Sequence, residues 1–342
     1  MTTRRALLIL LPLMVLFGSG FYILLGHLKV AREASSPTRI HPAYRLPGSL
    51  YLAQEGRLYR LQSGKFIAIG PAGNWMQPAL TPDGRNLVAV RRDAQSSDMF
   101  LLDLSGRVVR QLTNDAARIL DANHWAYYPR LDAEGTIFYS YDSPKAGFRV
   151  DLAVWGMPLT GGSPQRLSNP NPYTGGDVNP VPLSTGGLIY VKYSIGNAPH
   201  SQIWLQPQPG EEGAALTEAS DDCSQPAVSP DGSHLAMVCA GRQNNRLVLA
   251  DFNGSALSNV RVLLQGNLFA VPTWRPDGKG LVFYAPAGAT GHFQIWWLPL
   301  NAVPVASSDT SSGATPSLTP GKLVQVTDGL DLDATSAPTW SS

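Results

Sequence analysis

A short hairpin signature recurs along the chain and constrains its fold more than any other feature. Its clearest copy runs from Gln225 to Val238, where a Pro-Asp-Gly turn lies between two apolar runs. Proline fixes the backbone of the second turn position, Asp bonds back to the main chain, and Gly takes the positive φ that closes the loop. The apolar flanks therefore predict two antiparallel strands. Copies begin at Pro78, Pro129, Pro180, Pro226, Pro272 and, in truncated form, Pro338.

The spacing of these copies predicts the architecture. Successive leading prolines lie 51, 51, 46, 46 and 66 residues apart, which is close to the period of four-stranded propeller blades. Six starts predict an all-β, six-bladed β-propeller with four-stranded antiparallel blades. Three strands between residues 49 and 69 have no leading strand of their own, whereas a lone strand lies at 337–341. We therefore predict that the C-terminal strand joins the N-terminal blade, which closes the ring and removes its edges.

Composition and charge exclude one class of partner. The 342 residues carry a formal net charge of +1 at pH 7, and basic residues are dispersed apart from pairs such as Arg91-Arg92. Such a chain lacks the basic field that captures DNA or RNA, so we expect no nucleic-acid partner. A Gly-rich phosphate cradle is also lacking, and we expect no cofactor.

The N-terminal region has the properties of a membrane anchor. Residues 6–25 carry no charge and are mostly Leu, Ile, Val and Phe, and roughly 20 such residues span a bilayer as a helix. The run is longer than a signal-peptide core and no small-x-small site follows it, which predicts an uncleaved transmembrane signal anchor over residues 1–28. No cysteine follows it, so a lipid-modified N-terminus is not expected. Basic residues are nearly balanced across the span and leave its orientation open.

The remaining boundaries follow from composition. Residues 29–47 have neither a hydrophobic period nor a cluster and predict a stalk, and residues 48–342 form the predicted propeller. Within the last blade, the Ser/Thr/Pro/Ala tract at 302–321 predicts a disordered insertion, which accounts for the long final interval.

The two cysteines bear on the location of the domain. If Ser229 and Ser233 close the hairpin, Cys223 faces Cys239 across adjacent strands. A disulfide there would place the propeller outside the cytoplasm, in the bacterial periplasm or at the cell surface. Two buried free thiols of a cytosolic protein are the alternative, because a cross-strand bond needs suitable Cβ geometry.

The repeats also carry a family resemblance. The Pro-x-(Trp/Leu/Val)-(Ser/Thr/Arg)-Pro-Asp-Gly hairpin, followed by an apolar strand and an Ile-Trp or Leu-Leu-Asp-Leu third strand, resembles the TolB-like six-bladed propeller repeats of bacterial envelope proteins. The resemblance covers residues 48–342. The α/β domain that precedes the propeller in TolB has no counterpart in this sequence. It implies the fold more than a function, because related repeats occur in Tol-system proteins, prolyl oligopeptidase-like peptidases and lyases. No Gly-x-Ser-x-Gly motif occurs, so a peptidase would lack its nucleophile elbow.

Candidate ligand-binding residues lie in the inter-blade loops, which lead into the innermost strand of each blade and meet at one mouth of the channel. These loops are polar and aromatic, which predicts a rim of aromatic faces and of carboxylates that accept hydrogen bonds or hold a cation. Asp and Asn also favour such loops for backbone reasons. The candidates are Trp75, Gln77, His124, Trp125, Tyr127, Tyr173, Asp177, Asp221, Asp222, Phe269, Asp331 and Asp333, with Asn74, Asn123, Asn179 and Asn267 beside them.

Two functions of different classes fit this sequence. The favoured one is a membrane-tethered extracytoplasmic propeller that binds a protein or peptide of the cell envelope, or a glycan, without catalysis of its own. The alternative is a metal-dependent carbohydrate-active enzyme of lyase type, using His124 with rim carboxylates. The six histidines show no His-x-His or His-Glu-x-x-His spacing, and we expect His200 and His292, which precede third strands, on the other face or the outside.

Overall fold

The computed structural model describes residues 39–40, 45–142, 151–196, 198–241, 244–266, 268–288, 291–302 and 318–342. The predicted anchor, residues 1–28, lies outside them. Within these described ranges, no helix has the length and apolar character needed to cross a membrane. The described helices are two 3₁₀ turns, Leu120–Ala122 and Ala219–Asp221.

The strands are short and follow the repeat. In chain order they are β1 (Arg39–Ile40), β2 (Ser49–Gln54), β3 (Arg57–Gln62), β4 (Lys65–Ile69), β5 (Trp75–Leu80), β6 (Asn86–Arg92), β7 (Ser97–Asp103), β8 (Val108–Gln111), β9 (Ala126–Leu131), β10 (Thr136–Tyr141), β11 (Ala153–Pro158), β12 (Gln165–Arg166), β13 (Asp177–Pro182), β14 (Leu188–Ser194), β15 (His200–Gln206), β16 (Ala214–Ala215), β17 (Cys223–Val228), β18 (His234–Cys239), β19 (Asn245–Phe252), β20 (Leu257–Gly266), β21 (Ala270–Trp274), β22 (Gly280–Ala287), β23 (His292–Ala302), β24 (Leu318–Pro320), β25 (Val324–Gln325), β26 (Thr327–Asp328) and β27 (Thr339–Ser341).

These strands form six antiparallel blades. Blade 1 has the order β27-β2-β3-β4, blades 2 to 5 are β5–β8, β9–β12, β13–β16 and β17–β20, and blade 6 contains β21, β22, β23, β24 and β25. The innermost strands β27, β5, β9, β13, β17 and β21 contact one another in turn around the channel. The C-terminal strand pairs with β2, with Leu50 opposite Trp340. The predicted six blades and the predicted ring closure are confirmed.

Two segments at the predicted boundaries contact the propeller. Within the predicted stalk, β1 pairs with β26 and Leu46 lies in the core, because the propeller offers both an open strand edge and an apolar pocket. Residues 303–317 of the predicted disordered insertion lie outside the described residues. Its C-terminal end is ordered as β24, which pairs with Leu300 to Ala302 at the end of β23.

The hydrophobic core consists of separate clusters that lie between neighbouring blades. The described residues form six apolar clusters, and each combines side chains of two adjacent blades. Leu50 and Leu52 of blade 1, for example, pack with Tyr284 and Trp297 of blade 6. Successive side chains of a strand point to opposite faces, so each blade contributes to two clusters. The third-strand aromatics therefore serve mainly to pack the blades together.

The innermost strands share a bulge next to the leading proline. The residue before that proline has a positive φ in five blades, and the register shifts at the same place. These residues are Gln77, Tyr128, Asn179, Gln225 and Val271. The proline that follows has no N–H, so it leaves no unpaired donor on the strand edge that faces the channel. This requirement explains why proline recurs at the head of each blade.

The hairpin of blade 5 holds the two cysteines. Cys223 of β17 lies directly opposite Cys239 of β18. The structure joins them by a disulfide, and both residues are buried in the cluster between blades 4 and 5.

Candidate functional site

The inter-blade loops share their face with the loops that join the second and third strands. Each first strand runs away from this face and the second strand returns to it. His292, at the start of a third strand, accordingly has its Nδ1 atom 3.3 Å from Oδ1 of Asp331 in an inter-blade loop. The expectation that His200 and His292 lie on the other face is wrong for this topological reason, because both begin third strands.

A short stretch of chain crosses the mouth of the channel on this face. This crossing segment, residues 333–336, lies just before the last strand. Nε2 of Gln225 in blade 5 donates to the carbonyl of Ala334 at 3.1 Å, and Nε2 of Gln77 in blade 2 donates to the carbonyl of Thr335 at 3.3 Å. Blades 2 and 5 lie on opposite sides of a six-membered ring. The segment therefore spans the mouth at which the inter-blade loops meet.

Three of the predicted site residues belong to the framework. Trp75 is 4% exposed, and its ring packs edge-on against Phe100 at 5.3 Å. Gln77 is 2% exposed and holds the crossing segment. Asp177 is fully buried 3.1 Å from Nζ of Lys192, and burial raises the pKa of its carboxyl while the ammonium opposes that rise. None of the three presents its side chain to a ligand on this face.

Other predicted residues have local roles and are scattered around the rim. Oδ1 of Asp222 accepts bonds from the N–H and hydroxyl of Ser201, both at 2.7 Å. Oδ1 of Asp333 accepts from the N–H of Thr335 at 2.8 Å, a turn contact within the crossing segment. The remaining contacts are Asp221 with Arg246, Phe269 with Phe283, and the N–H of the exposed Tyr173 with Asp151. Asn267 lies outside the described residues.

The structure brings together four side chains of blades 2 and 3, which we call the aromatic patch: Arg92, Trp125, Tyr127 and Tyr128. The rings of Trp125 and Tyr127 stack with centroids 6.0 Å apart, and the exposed guanidinium of Arg92 lies 5.6 Å from the Trp125 ring centroid. Tyr128 follows at 6.0 Å from Tyr127. All three aromatic residues are half-buried, so part of each remains accessible to solvent.

Charges and burial keep the tyrosines of the patch protonated. Burial raises the pKa of Tyr128 to about 12, and the neighbouring Tyr193 and Asp333 add to this effect. Burial also raises the pKa of Tyr127, against the opposing charge of Arg92. The patch thus combines flat apolar faces, hydroxyl groups and one cation, which suits a peptide segment or a sugar ring.

Buried acids hold the loop that leads into the patch and carries Trp125. Oδ1 of Asp142 accepts a bond from the N–H of Trp125 at 2.8 Å and lies 3.1 Å from Nδ1 of His124. The hydroxyl of Tyr141 donates to Oδ1 of Asp115 at 2.7 Å, and burial raises the pKa of Asp115 to about 6. His124 is therefore engaged in positioning the loop. A surface held in this way loses little freedom when a ligand binds.

No group of three or more His, Cys, Asp and Glu side chains that could hold a metal ion occurs among the residues that the structure describes. The lyase-type alternative depends on such a group. Arg92 and Tyr128 of the patch were not among the residues predicted from the sequence, nor was Tyr193, which neighbours Tyr128. Tyr128 had a usable signal, because it precedes a leading proline just as Gln77 does.

Comparison with known proteins agrees with the fold. A family model described as the β-propeller domain of lipoprotein LpqB matches residues 211–314. TolB from Acinetobacter baumannii superposes with a TM-score of 0.59 at 15% identity, over 85% of this chain and 65% of that protein. A protein described as a putative TolB from Agrobacterium tumefaciens gives a TM-score of 0.55 at 13% identity, over 86% of this chain and 99% of that protein. A gluconolactonase from Xanthomonas campestris gives 0.54 at 14%, over 88% and 87%.

At these identities the solved structures show the fold alone. No match is found among curated protein sequences. This chain spans 65% of the first TolB, so that protein's other part has no counterpart in the superposition.

Proposed function

We propose that this chain, a TolB-like six-bladed β-propeller, is an extracytoplasmic, membrane-tethered module of the bacterial cell envelope. It binds a protein or peptide through the aromatic patch and carries out no catalysis itself. The patch is the observation that carries this proposal, because its rings lie at the end of a pre-formed loop and in the strand that follows it, and all three remain partly accessible to solvent. Large aromatic side chains held in this way are the usual anchors of protein interfaces.

The location rests on two further observations. Cys223 and Cys239 form a cross-strand disulfide, and such bonds persist in oxidising compartments. The matching family is named for a lipoprotein, LpqB. In this chain both cysteines belong to the hairpin, so neither carries a lipid, and the apolar run at 6–25 provides the tether. The predicted boundaries are retained in this proposal, with the anchor at 1–28 and the propeller beyond the stalk.

The test replaces Trp125 and Tyr127 by Ala in the full chain. Partners are cross-linked in intact cells and identified, and the most abundant one is purified for affinity measurement. We expect the double variant to bind it at least tenfold more weakly, about 1.4 kcal/mol. Tyr173→Ala is the matched control, because Tyr173 is 68% exposed on the same face but lies outside the patch.

The binding measurements show whether the patch is the binding site and whether its ligand is a peptide or a glycan. A folded double variant that binds the partner as tightly as the unaltered chain would exclude the patch as the binding site. Soluble cell-wall oligosaccharides are titrated in parallel, because a sugar ring is the competing ligand for stacked aromatic faces. Retention of these oligosaccharides with no protein partner would replace the peptide ligand by a glycan.

A further inference from the structure

A cavity of about 360 Å³ lies at the channel end opposite the crossing segment. This is the hairpin face, where the Pro-Asp-Gly turns join first and second strands. The cavity walls come from the innermost strands of five blades and include Pro226, Pro272, Pro338, Trp274 and Trp340. Its size is at the lower end for ligand pockets, which suits a small molecule or the end of a chain.

Arg130 is the charged side chain of this lining. Its Nη1 donates to the carbonyl of Pro129 at 3.0 Å. Burial alone lowers the pKa of Arg130 to about 10, and no carboxylate in the described ranges offsets that effect. The guanidinium is thus a cation at neutral pH in a partly buried position, without an acidic partner among the described residues.

The chemistry of the walls limits what can meet this charge. A guanidinium has five N–H donors in a planar fork that matches a carboxylate, and a desolvated cation is stabilised by a counter-ion. The prolines offer no N–H. The indole N–H groups of Trp274 and Trp340 already donate to the carbonyls of Ala227 and Pro47. One positive charge in an apolar wall balances a single negative charge better than the two of a phosphate.

We propose that this cavity binds a carboxylate carried on an apolar body, with Arg130 pairing with the carboxylate oxygens. The C-terminal residue of a peptide and a small free organic acid share this chemistry. The site is on the face opposite the aromatic patch, so it is independent of the function proposed above.

The test is calorimetry on the full chain in lipid nanodiscs. N-acetyl-leucine should bind, and N-acetyl-leucinamide, which lacks the negative charge, should bind at least tenfold more weakly. Arg130→Gln should remove the difference between these probes. Arg110→Gln is the control, because Arg110 is exposed and its guanidinium bonds to the carbonyls of Leu159 and Thr160. The same preference in Arg130→Gln, or equal binding of inorganic phosphate, overturns the assignment.

Two further arms complete the experiment. A tripeptide, acetyl-Ala-Ala-Leu with a free carboxylate, separates the sources, because a site for a chain end binds it more tightly than N-acetyl-leucine. Arg130→Met tests a purely structural role. We expect its melting temperature to equal or exceed that of the unaltered chain, since an unpaired, partly buried charge is removed. A marked loss of stability, together with no binding of N-acetyl-leucine by the unaltered chain, contradicts the proposal.

Discussion

Gln77 and Gln225 show how one amide can hold several parts of a ring. Oε1 of Gln77 accepts a bond from the N–H of Tyr128 at 2.7 Å, and Oε1 of Gln225 accepts from the N–H of Val271 at 2.8 Å. In each case the donor is the bulged residue of the next blade. The Nε2 groups reach the crossing segment, as described above. Each side chain thus satisfies a strained backbone position and fixes a loop.

Replacing Gln77 by Leu should therefore destabilise the domain. The change removes the acceptor for the partly buried N–H of Tyr128 and the donor to the crossing segment, and an unsatisfied buried group costs about 1–3 kcal/mol. Urea unfolding measures the loss. Gln208→Leu, at an exposed position, should leave the free energy of unfolding within about 0.5 kcal/mol of its original value. Equal effects of the two changes would mean that the bridge contributes nothing.

Asp115 should give the domain a distinct pH dependence. The pKa of its carboxyl is about 6 in the folded chain because of burial, against about 3.9 when unfolded. The folded state holds this proton more tightly, so the stability that the group contributes is complete below about pH 4 and is lost as the pH rises through about 6. Asp115→Asn should flatten the fall in melting temperature over this interval. Asp121→Asn, an exposed change in the same loop, should retain the original slope.

Trp75 explains why single residues were the hardest to predict. It begins an innermost strand, as Trp125 directly precedes one, and the sequence around the two is similarly polar and aromatic. Whether such a ring turns inward depends on its distance from the bulge, because successive side chains of a strand alternate between faces. The bulge directly precedes the leading proline, and Trp75 lies three residues before Pro78 whereas Trp125 lies four residues before Pro129. The sequence contains this offset, but the positive φ at which the alternation breaks became visible only in the structure.

Strands and turns were more predictable, because their signals are local. The Pro-Asp-Gly turns and the apolar alternation are set within a few residues, and the structure has strands where they predict them. The crossing segment was not predictable in this way. Its contact with Gln77 joins residues 259 positions apart, where the N–H of Gln77 donates to the hydroxyl of Ser336 at 2.7 Å. Only the completed ring brings those two positions together.

The hairpin of β17 and β18 should depend on its disulfide. Cys223 and Cys239 are 16 positions apart, and closing a loop of this size stabilises a chain by about 3 kcal/mol in the entropic model. Replacing both cysteines by Ala should lower the free energy of unfolding by about 2–3 kcal/mol, measured with denaturant under non-reducing conditions. Mass spectrometry of the membrane fraction should find the two peptides linked. Freely alkylatable thiols there would remove the main support for an extracytoplasmic domain.

For the ring, the six-fold count could be predicted from spacing alone, whereas the binding site could not. Each blade takes about 50 residues, so the number of repeats along the chain gives the number of blades. The binding properties of the two channel ends depend instead on which loops cross the channel axis and which side chains reach that axis. Arg130 reads in sequence as an ordinary strand residue beside Pro129. Its isolation from acidic groups is visible only once five other innermost strands surround it.

Ring closure gives the final prediction. Removing residues 337–342 deletes β27, exposes the edge of β2, and takes Trp340 out of the cluster between blades 1 and 6. Such a chain should aggregate or melt far below the intact domain, as followed by circular dichroism and light scattering. Removal of the exposed Ser342 alone is the control. Unchanged melting after the longer deletion would show that β27 does not hold the ring closed.

This closure also sets an order of events in folding. The hydroxyl of Ser341 donates to the carbonyl of Ser49 across 292 positions. Blades 2 to 6 each consist of consecutive strands and can condense one after another as the polypeptide emerges. Blade 1 cannot be completed until β27 has been synthesised and has paired with β2. Until then Leu50 and Leu52 remain partly exposed to solvent. Since long loops close slowly, joining of the two ends is the expected slow step, and the interval before it is when the nascent domain is most exposed to proteases and chaperones.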